Sequence, residues 1–336
     1  MQKSKSIILT LLLLMMVYLA ACSNQETKAI LEEQGFNEAD EKVTVVTAGQ
    51  GGTWYGMMGA YADLVNNGIK GTTMNVTPSG GAAENVNLMK DHSAEIGFLT
   101  SYHAYDALNG TGVYEGEEPI EHLTALAMTD PLYISFVVRA DSDIKSFEDF
   151  KGKRIGRGEA GSVSYTILSQ IFEEYGIKEE DLKGQNIGSA DQAEALKDGN
   201  LDIFAYVAGG PSGASAALLE LGSSIDIRYI EITGEVRDRI AAKYPYVPAT
   251  IPAGHMGNKE DVETMQIGVT LTASANLSEN YVYELTKTLF ENKEHLISAH
   301  KSWAGLSTSD IPIPLHPGAE KYYKEKGIEP TFIDLD

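Results

Sequence analysis

"TAGQGGTWYGMMG", residues 47–59, sets glycines between a strand-like run, Val43-Thr44-Val45-Val46, and apolar positions Met57, Ala60, Tyr61, Leu64 and Val65 at helical spacing. Strand, glycine turn and helix in that order open an α/β unit. The turn departs from the dinucleotide fingerprint, because the place of the third glycine is taken by Trp54. It is no P-loop either, since no Gly-Lys-Ser/Thr follows at the required distance. Two readings remain. Glycines can expose backbone N–H groups at a helix N-terminus, a setting for a small anion such as a carboxylate, or the stretch is a tight strand-to-helix turn and nothing more.

The same layout recurs downstream. Met74–Thr77 reads as a strand, Pro78-Ser79-Gly80-Gly81 as a polar turn, and Ala82, Ala83, Val86 and Met89 as one helical face. Ala94–Leu99 reads as a strand ending at Thr100-Ser101-Tyr102. In an open parallel sheet such strand ends share one edge, where ligands bind. "ENVNLMKDHSAEIGFLTS" (84–101) and "DQAEALKDGNLDIFAYVAGG" (191–210) both run from an amphipathic helix through a basic-acidic turn into an acid-Ile strand. Arg154-Ile155-Gly156 and the following "RGEAGSVSYTILSQIFEEYG" repeat the opening loop. Two similar α/β lobes account for this economically. The apolar run Tyr133–Arg139 is expected to connect them. The return is expected near 248–271, with Gln266–Leu271 strand-like, followed by a helix over Ser278–Phe290 with Ser278 as its N-cap.

The first residues, Met1-Gln2-Lys3-Ser4-Lys5, an apolar run from Ile7 to Val17, and Leu19-Ala20-Ala21-Cys22 read as an export signal too short to span a bilayer. Cys22 is the single cysteine of 336 residues and stands where a bacterial lipobox places the lipidated residue. A diacylglyceryl group there would hold the mature chain on the outer face of a membrane, with residues 22–40 as tether. Loss of Lys3 and Lys5 with the leader takes the formal charge from −22 to −24. That makes nucleic acid a poor partner and gives weight to local basic spots.

Six stretches together resemble the TAXI family, the extracytoplasmic solute receptors of one branch of TRAP transporters. They are 47–55, Pro78-Ser79-Gly80-Gly81, "YDALNGTG" (105–112), "VVRADSDIKSFEDFKGKRI" (137–155), "YPYVPATIPAG" (244–254) and "PIPLHPGAEKYYKEKG" (312–327). The resemblance implies a type II periplasmic-binding-protein fold, two α/β lobes around a ligand cleft joined by crossing strands. It also implies a membrane permease driven by an ion gradient. The expected divisions are a lipoprotein signal at 1–21, the tether at 22–40, lobe 1 at 41–137, lobe 2 at 138–258 and a return to lobe 1 at 259–336; a monomer is expected.

In that setting the loop becomes one wall of a solute cleft. The amides of Gly51 and Gly52 and the Thr53 hydroxyl would donate to a ligand carboxylate, while Trp54 or Tyr55 covers its carbon skeleton. Ser79, Gly80, Gly81, Thr100 and Ser101 would line the same lobe. On the second lobe the family's Gly-x-x-Gly-Ser-Gly-Thr run is replaced by Gly158-Glu159-Ala160-Gly161-Ser162-Val163-Ser164. Arg157, Glu159, Gly161 and Ser162 are candidates there, either holding the two charges of an amino acid or, for Arg157 and Glu159, pairing with each other. "AYVAGGPSGAS" (205–215) adds Tyr206, Gly209, Gly210 and Pro211. Arg139 is a weaker candidate, because Asp141 can neutralise it. Glutamate or glutamine is the first ligand expectation, with 2-oxoglutarate next. A clamshell of this kind could also present its closed form to a membrane histidine kinase.

Catalytic apparatus is not legible. The seven histidines have no metal spacing, no Gly-x-Ser-x-Gly elbow occurs, and the lone cysteine sits in the signal. Neither a cofactor nor a metal is expected.

Overall fold

The computed structural model describes residues 42–50, 52–160, 162–211, 213 and 215–335. The expected leader, Cys22, the tether, Gly51 and Gly161 lie outside the described residues.

Along the chain, β1 (Lys42–Val46), α1 (Thr53–Gly68), β2 (Thr73–Thr77), α2 (Ala82–Lys90), β3 (Ile96–Thr100), α3 (Ser101–Asn109) and β4 (Leu123–Met128) come first. Next are β5 (Leu132–Arg139), β6 (Arg154–Gly156), α4 (Val163–Glu174), β7 (Lys183–Gln185), α5 (Ser189–Lys197), β8 (Ile203–Val207) and α6 (Ala216–Ser224). They are followed by β9 (Ile227–Tyr229), α7 (Gly234–Lys243), β10 (Tyr246–Ile251) and β11 (Val262–Ile267). The chain ends with β12 (Val269–Ser274), α8 (Glu279–Glu291), α9 (Lys293–Ala299) and α10 (Pro317–Lys326).

Two mixed sheets result, one to each lobe. The first has the order β2-β1-β3-β12-β4, with β1 parallel to β2 and β3, and β12 antiparallel to β3 and β4. The second runs β10-β11-β5-β8-β6-β7, with β9 on β5. Helices cover both faces, so each sheet is packed on two sides. In α1, Met57, Met58, Tyr61, Ala62 and Val65 form the buried stripe against Val43, Val45 and Phe98. Each large side chain in it contributes roughly 1.5–3 kcal/mol of burial. The Tyr61 hydroxyl and the Trp303 indole satisfy their polar ends on the carbonyls of Leu285 (2.8 Å) and Met57 (3.0 Å).

The chain changes sheet twice, between Met128 and Leu132 and again at Gly268. Both changes lie away from the expected boundaries at 137 and 258. The run Tyr133–Val138 is buried throughout and belongs wholly to the second sheet; the crossing falls instead on Thr129–Pro131, where the proline ends the ladder. Likewise Gln266–Leu271 is two strands split by Gly268, so 259–267 stay in lobe 2. The terminal methyl of Met128 occupies the space where a Cβ on Gly268 would stand, with Ser101 beside it. The crossings are tied together by Thr129 N–H to Val269 O (2.7 Å) and Ser101 N–H to Gly268 O (2.9 Å).

The sequence repeat is structural. Segment α2–β3 and segment α5–β8 each carry a buried amide on the helix, Asn85 and Gln192, bonded to the backbone of the following strand at Phe98 O (2.9 Å) and Ala205 N–H (3.0 Å). Each also has an acid before its strand that accepts from the neighbouring parallel strand: Glu95 from Thr44 N–H and Asp202 from Arg154 N–H, both at 2.7 Å.

Candidate functional site

Lobe 1 presents the end of β1 and the start of α1. Gly52 N–H closes a turn onto Gly49 O (2.9 Å), and the first helical bond runs from Gly56 N–H to Gly52 O (3.1 Å). Gly52 is the N-cap and no side chain caps the helix; its first turn holds no acid. The N–H groups of Thr53, Trp54 and Tyr55 therefore have no acceptor among the described residues. Thr53 is exposed, and Trp54 and Tyr55 are half-buried. Trp54 packs against the core, its ring 5.5 Å from Phe98.

The neighbouring polar loop is already engaged. Ser79 Oγ lies 3.1 Å from Thr47 O and 2.6 Å from Asn85 Oδ1, and accepts from Gly81 N–H (3.1 Å). Gly80 N–H is taken by Glu84 (2.7 Å), and Gly81, at φ 103°, caps α2. Asn85, absent from the expected set, organises this edge: fully buried, it donates to Thr47 O (2.7 Å) and Phe98 O. Its trace in the sequence is an amide inside the apolar stripe Ala82, Val86, Met89, a place where Ala83 was expected and is in fact exposed.

Ser101 joins the lobes instead of lining open space. It is fully buried, and its hydroxyl donates to Pro245 O of lobe 2 (2.6 Å). Tyr102 beside it enters the lobe 2 core with Phe136, Ile167 and Tyr246. One turn on, burial holds His103 neutral, with its pKa lowered to about 3, and Nδ1 stands 2.7 Å from Thr100 Oγ1. Burial also raises Asp106 to about 6, against bonds from Val113 N–H and Thr111 that pull it down.

In lobe 2, Arg157 neither meets Glu159 nor faces the cleft. It is 4% exposed, with both terminal nitrogens on the Glu179 carboxylate, Nε 3.3 Å from Asn186 Oδ1, and its guanidinium 4.8 Å from the Tyr165 ring. Gly184 leaves room for it along β7. The bidentate bond holds Arg157 more basic and Glu179 more acidic than usual. Glu159 is exposed, lies against Gly188 at the start of α5, and has no ion pair among the described residues. Burial raises the Tyr206 phenol, and the Glu159 charge raises it further. Gly158 (φ 79°) has Ser162, Ser164 and Tyr206 around its missing Cβ, so these groups converge. Ser162 caps α4 by accepting from Tyr165 N–H (3.2 Å).

Gly209 (φ 69°) and Gly210 pack at the crossing, Gly210 on Asp130 and Pro131, with Gly210 O 2.7 Å from His255 Nε2; Pro211 is exposed. Arg139 lies at the opposite edge. β5 runs antiparallel to β8, which puts Ile134 beside Val207 and Arg139 beyond the amino end of β8, bonded to Asp141 (3.2 Å) and Lys197 O (3.1 Å). It is removed from the cleft.

A further segment comes from late in the chain. His300 lies beside Gly56 in the first turn of α1, its Cδ2 3.2 Å from where a Cβ on that glycine would be. Lys301, next in sequence, reaches lobe 2, with Cε 3.4 Å and Nζ 3.7 Å from the corresponding position on Gly213. No spacing links these residues to the glycine loops in the sequence. A cavity of about 890 Å³ exists elsewhere, between Ile313, Leu315, Tyr323 and Phe332, but it is lined mainly by apolar groups and shares no residue with these walls. The uncapped N–H groups follow β1 in lobe 1 and Glu159 follows β6 in lobe 2, and these two strand-end walls are the candidate site.

Solved structures share this architecture at low identity, and the likeness is one of fold. PhnD1 from Prochlorococcus marinus in complex with methylphosphonate has 11% identity and a TM-score of 0.52, covering 87% of this chain and 99% of that one. A TctC solute binding protein from Polaromonas has 13% and 0.52, covering 80% and 89%. XAC2383 from Xanthomonas citri bound to chloride has 13% and 0.51, covering 84% and 95%. The fold is thus the two-lobe periplasmic-binding-protein fold, with two α/β sheets joined by crossing strands. A family model matches residues 45–327, from within β1 to the end of α10, and on that match the chain belongs to the NMT1-like family.

Proposed function

We propose that the protein is an extracytoplasmic solute-binding lipoprotein of the TAXI type, anchored through Cys22. It captures a small carboxylate-bearing solute between its lobes for uptake by an ion-gradient-driven TRAP permease. The observation that carries this reading is the first turn of α1, where three N–H groups have no acceptor among the described residues, at the carboxyl edge of the lobe 1 sheet. An anion completes such a turn, and closure of the lobes strengthens the bonds by excluding water. Two of the fold relatives were solved with an anion, methylphosphonate in one and chloride in the other.

On the other lobe, Glu159 is exposed and has no ion pair among the described residues, while Arg157 is engaged by Glu179. An acid there favours a ligand that carries an ammonium as well as a carboxylate. A glutamate- or glutamine-like amino acid therefore fits better than 2-oxoglutarate. Gly52, Thr53, Trp54, Tyr55, Glu159 and Tyr206 are the contacts this reading assigns, while Ser162 serves as the cap of α4.

The test is thermal unfolding of the full-length protein against acidic and neutral amino acids, 2-oxo acids, dicarboxylates and sugars. A ligand held at around micromolar affinity, about −8 kcal/mol, and supplied at a hundredfold excess stabilises the folded state by about 2.7 kcal/mol. The expected result is a raised midpoint with amino acids and a smaller rise with 2-oxo acids. A rise with sugars and none with any carboxylate would overturn the reading.

A further inference from the structure

We infer that Lys301 is the cation that fixes the solute's anionic group across the two lobes, a ligand contact supplied by a third segment of the chain. This rests on the receptor reading above and adds to it a residue and a charge that the glycine loops do not contain.

Three observations meet at this lysine. The first is placement. Lys301 opens a short turn, Lys301–Gly305, that is riveted to α1: Trp303 is fully buried, its indole donates to Met57 O (3.0 Å), and Trp303 N–H bonds His300 O (3.0 Å). A lysine on such a turn has a fixed root beside the α1 cradle, whatever its own side chain does.

The second is reach. The Lys301 stem lies over Gly213 of lobe 2, in space that a side chain at 213 would take, so its ammonium stands where the two lobes face each other. Gly213 is itself held by a pair of backbone bonds with Gly210, 2.9 and 3.0 Å, which fixes the surface the stem rests on.

The third is charge. The chain has 48 acidic against 26 basic residues, and the arginines expected near the cleft are bound to Glu179 and Asp141. Lys301 is exposed and pairs with no carboxylate among the described residues. Beside it, His300 Nδ1 accepts from Ser302 N–H (3.4 Å), so in the neutral ring the proton is on Nε2, the atom nearer to Gly56 together with Cδ2. One oxygen of a carboxylate on the α1 amides leaves the other to the ammonium. The resulting charge-assisted bond gains strength as closure removes water.

The experiment uses the full-length protein and calorimetric titration with L-glutamate, L-glutamine and 2-oxoglutarate, each repeated with Lys301→Met and Lys301→Arg. Lys301→Met keeps the stem and removes the charge. The expected result is a loss of about 10–100-fold in affinity for the carboxylate that binds wild type best, with the unfolding midpoint of the empty protein unchanged. Lys301→Arg should recover most of the loss. The preference of wild type for that carboxylate over its methyl ester should also collapse in Lys301→Met, which a merely structural role would not cause. Wild type binding with Lys301→Met equal to it overturns the assignment of Lys301 alone. If none of the three acids binds wild type, the receptor reading fails and this inference with it.

Discussion

The two lobes share a frame and differ at the point where a ligand would be held. In both, a helix leading into a parallel strand carries a fully buried amide, Asn85 or Gln192, and an acid that accepts from the neighbouring strand, Glu95 or Asp202. The strand-to-helix turns then diverge. Lobe 2 caps α4 with Ser162 and binds its nearby arginine to Glu179, whereas lobe 1 leaves α1 uncapped, with glycine at the N-cap and no acid in the first turn. A glycine at the N-cap forgoes roughly a few tenths of a kcal/mol that a serine would supply, and leaves the first-turn amides without a side-chain acceptor. That is a feature of a site that expects its acceptor from outside.

The equivalence of the frames is tested by Asn85→Leu and Gln192→Leu. Each should cost about 2–4 kcal/mol, because buried backbone groups lose their partners. Urea unfolding checks this, and a loss below about 0.5 kcal/mol in either variant breaks the comparison.

Next in size is the pH response of α3, where lobe 1 enters lobe 2. The folded-state pKa of His103, about 3, lies below the usual 6.5, so the unfolded chain takes a proton the folded one refuses. Stability then falls by about 1.4 kcal/mol per unit as pH drops below 6.5. Asp106 works the other way: at about 6, against 3.8, it is protonated first in the folded state, and stability rises as pH drops through 6 towards 4. Asp106→Asn should therefore raise stability at pH 7.5 by up to about 3 kcal/mol, fade to no effect near pH 4, and leave the acid loss from His103 uncovered. Unfolding midpoints from pH 4 to 8 read this directly; a constant difference would show that Asp106 does not titrate as stated.

A smaller effect separates structure from binding in lobe 2. Arg157→Met should lower stability by roughly 1 kcal/mol, a modest loss because Glu179 is mostly exposed, and leave ligand affinity unchanged. A tenfold loss of affinity would return Arg157 to the site. The smallest change is the sharpest: Ser162→Ala should cost about 1 kcal/mol, whereas Gly52→Ser should weaken ligand binding by occupying an α1 amide. Its stability gain will be reduced, since the added Cβ would stand 3.0 Å from Gly49 O.

The elements that organise this fold were legible where periodicity and glycine placement act locally. β1 and α1, the α2–β3 and α5–β8 repeat, and the Ser278 cap of α8 all follow from neighbours in sequence. The lobe boundaries were not, because a buried run such as Tyr133–Val138 reads the same whether it crosses between lobes or fills the middle of a sheet. Only partners distant in sequence decide that. The same limit hid the site's charges: the partner of Arg157 is at 179, Arg139 is placed by the direction of β5, and His300 and Lys301 reach the glycine loops only through the fold. Asn85 was visible as a polar residue in an apolar stripe, but its role depends on strand ends it could not announce.

The most direct test of the central claim is to follow the backbone amides of Thr53, Trp54 and Tyr55 by NMR as the best carboxylate ligand is added. Occupation of the uncapped α1 turn predicts large shifts and slowed hydrogen exchange at these three amides, with the Ser162–Tyr165 cap little changed. Tight binding that leaves the three amides as they were, with the changes instead centred on the start of α4, would contradict the account.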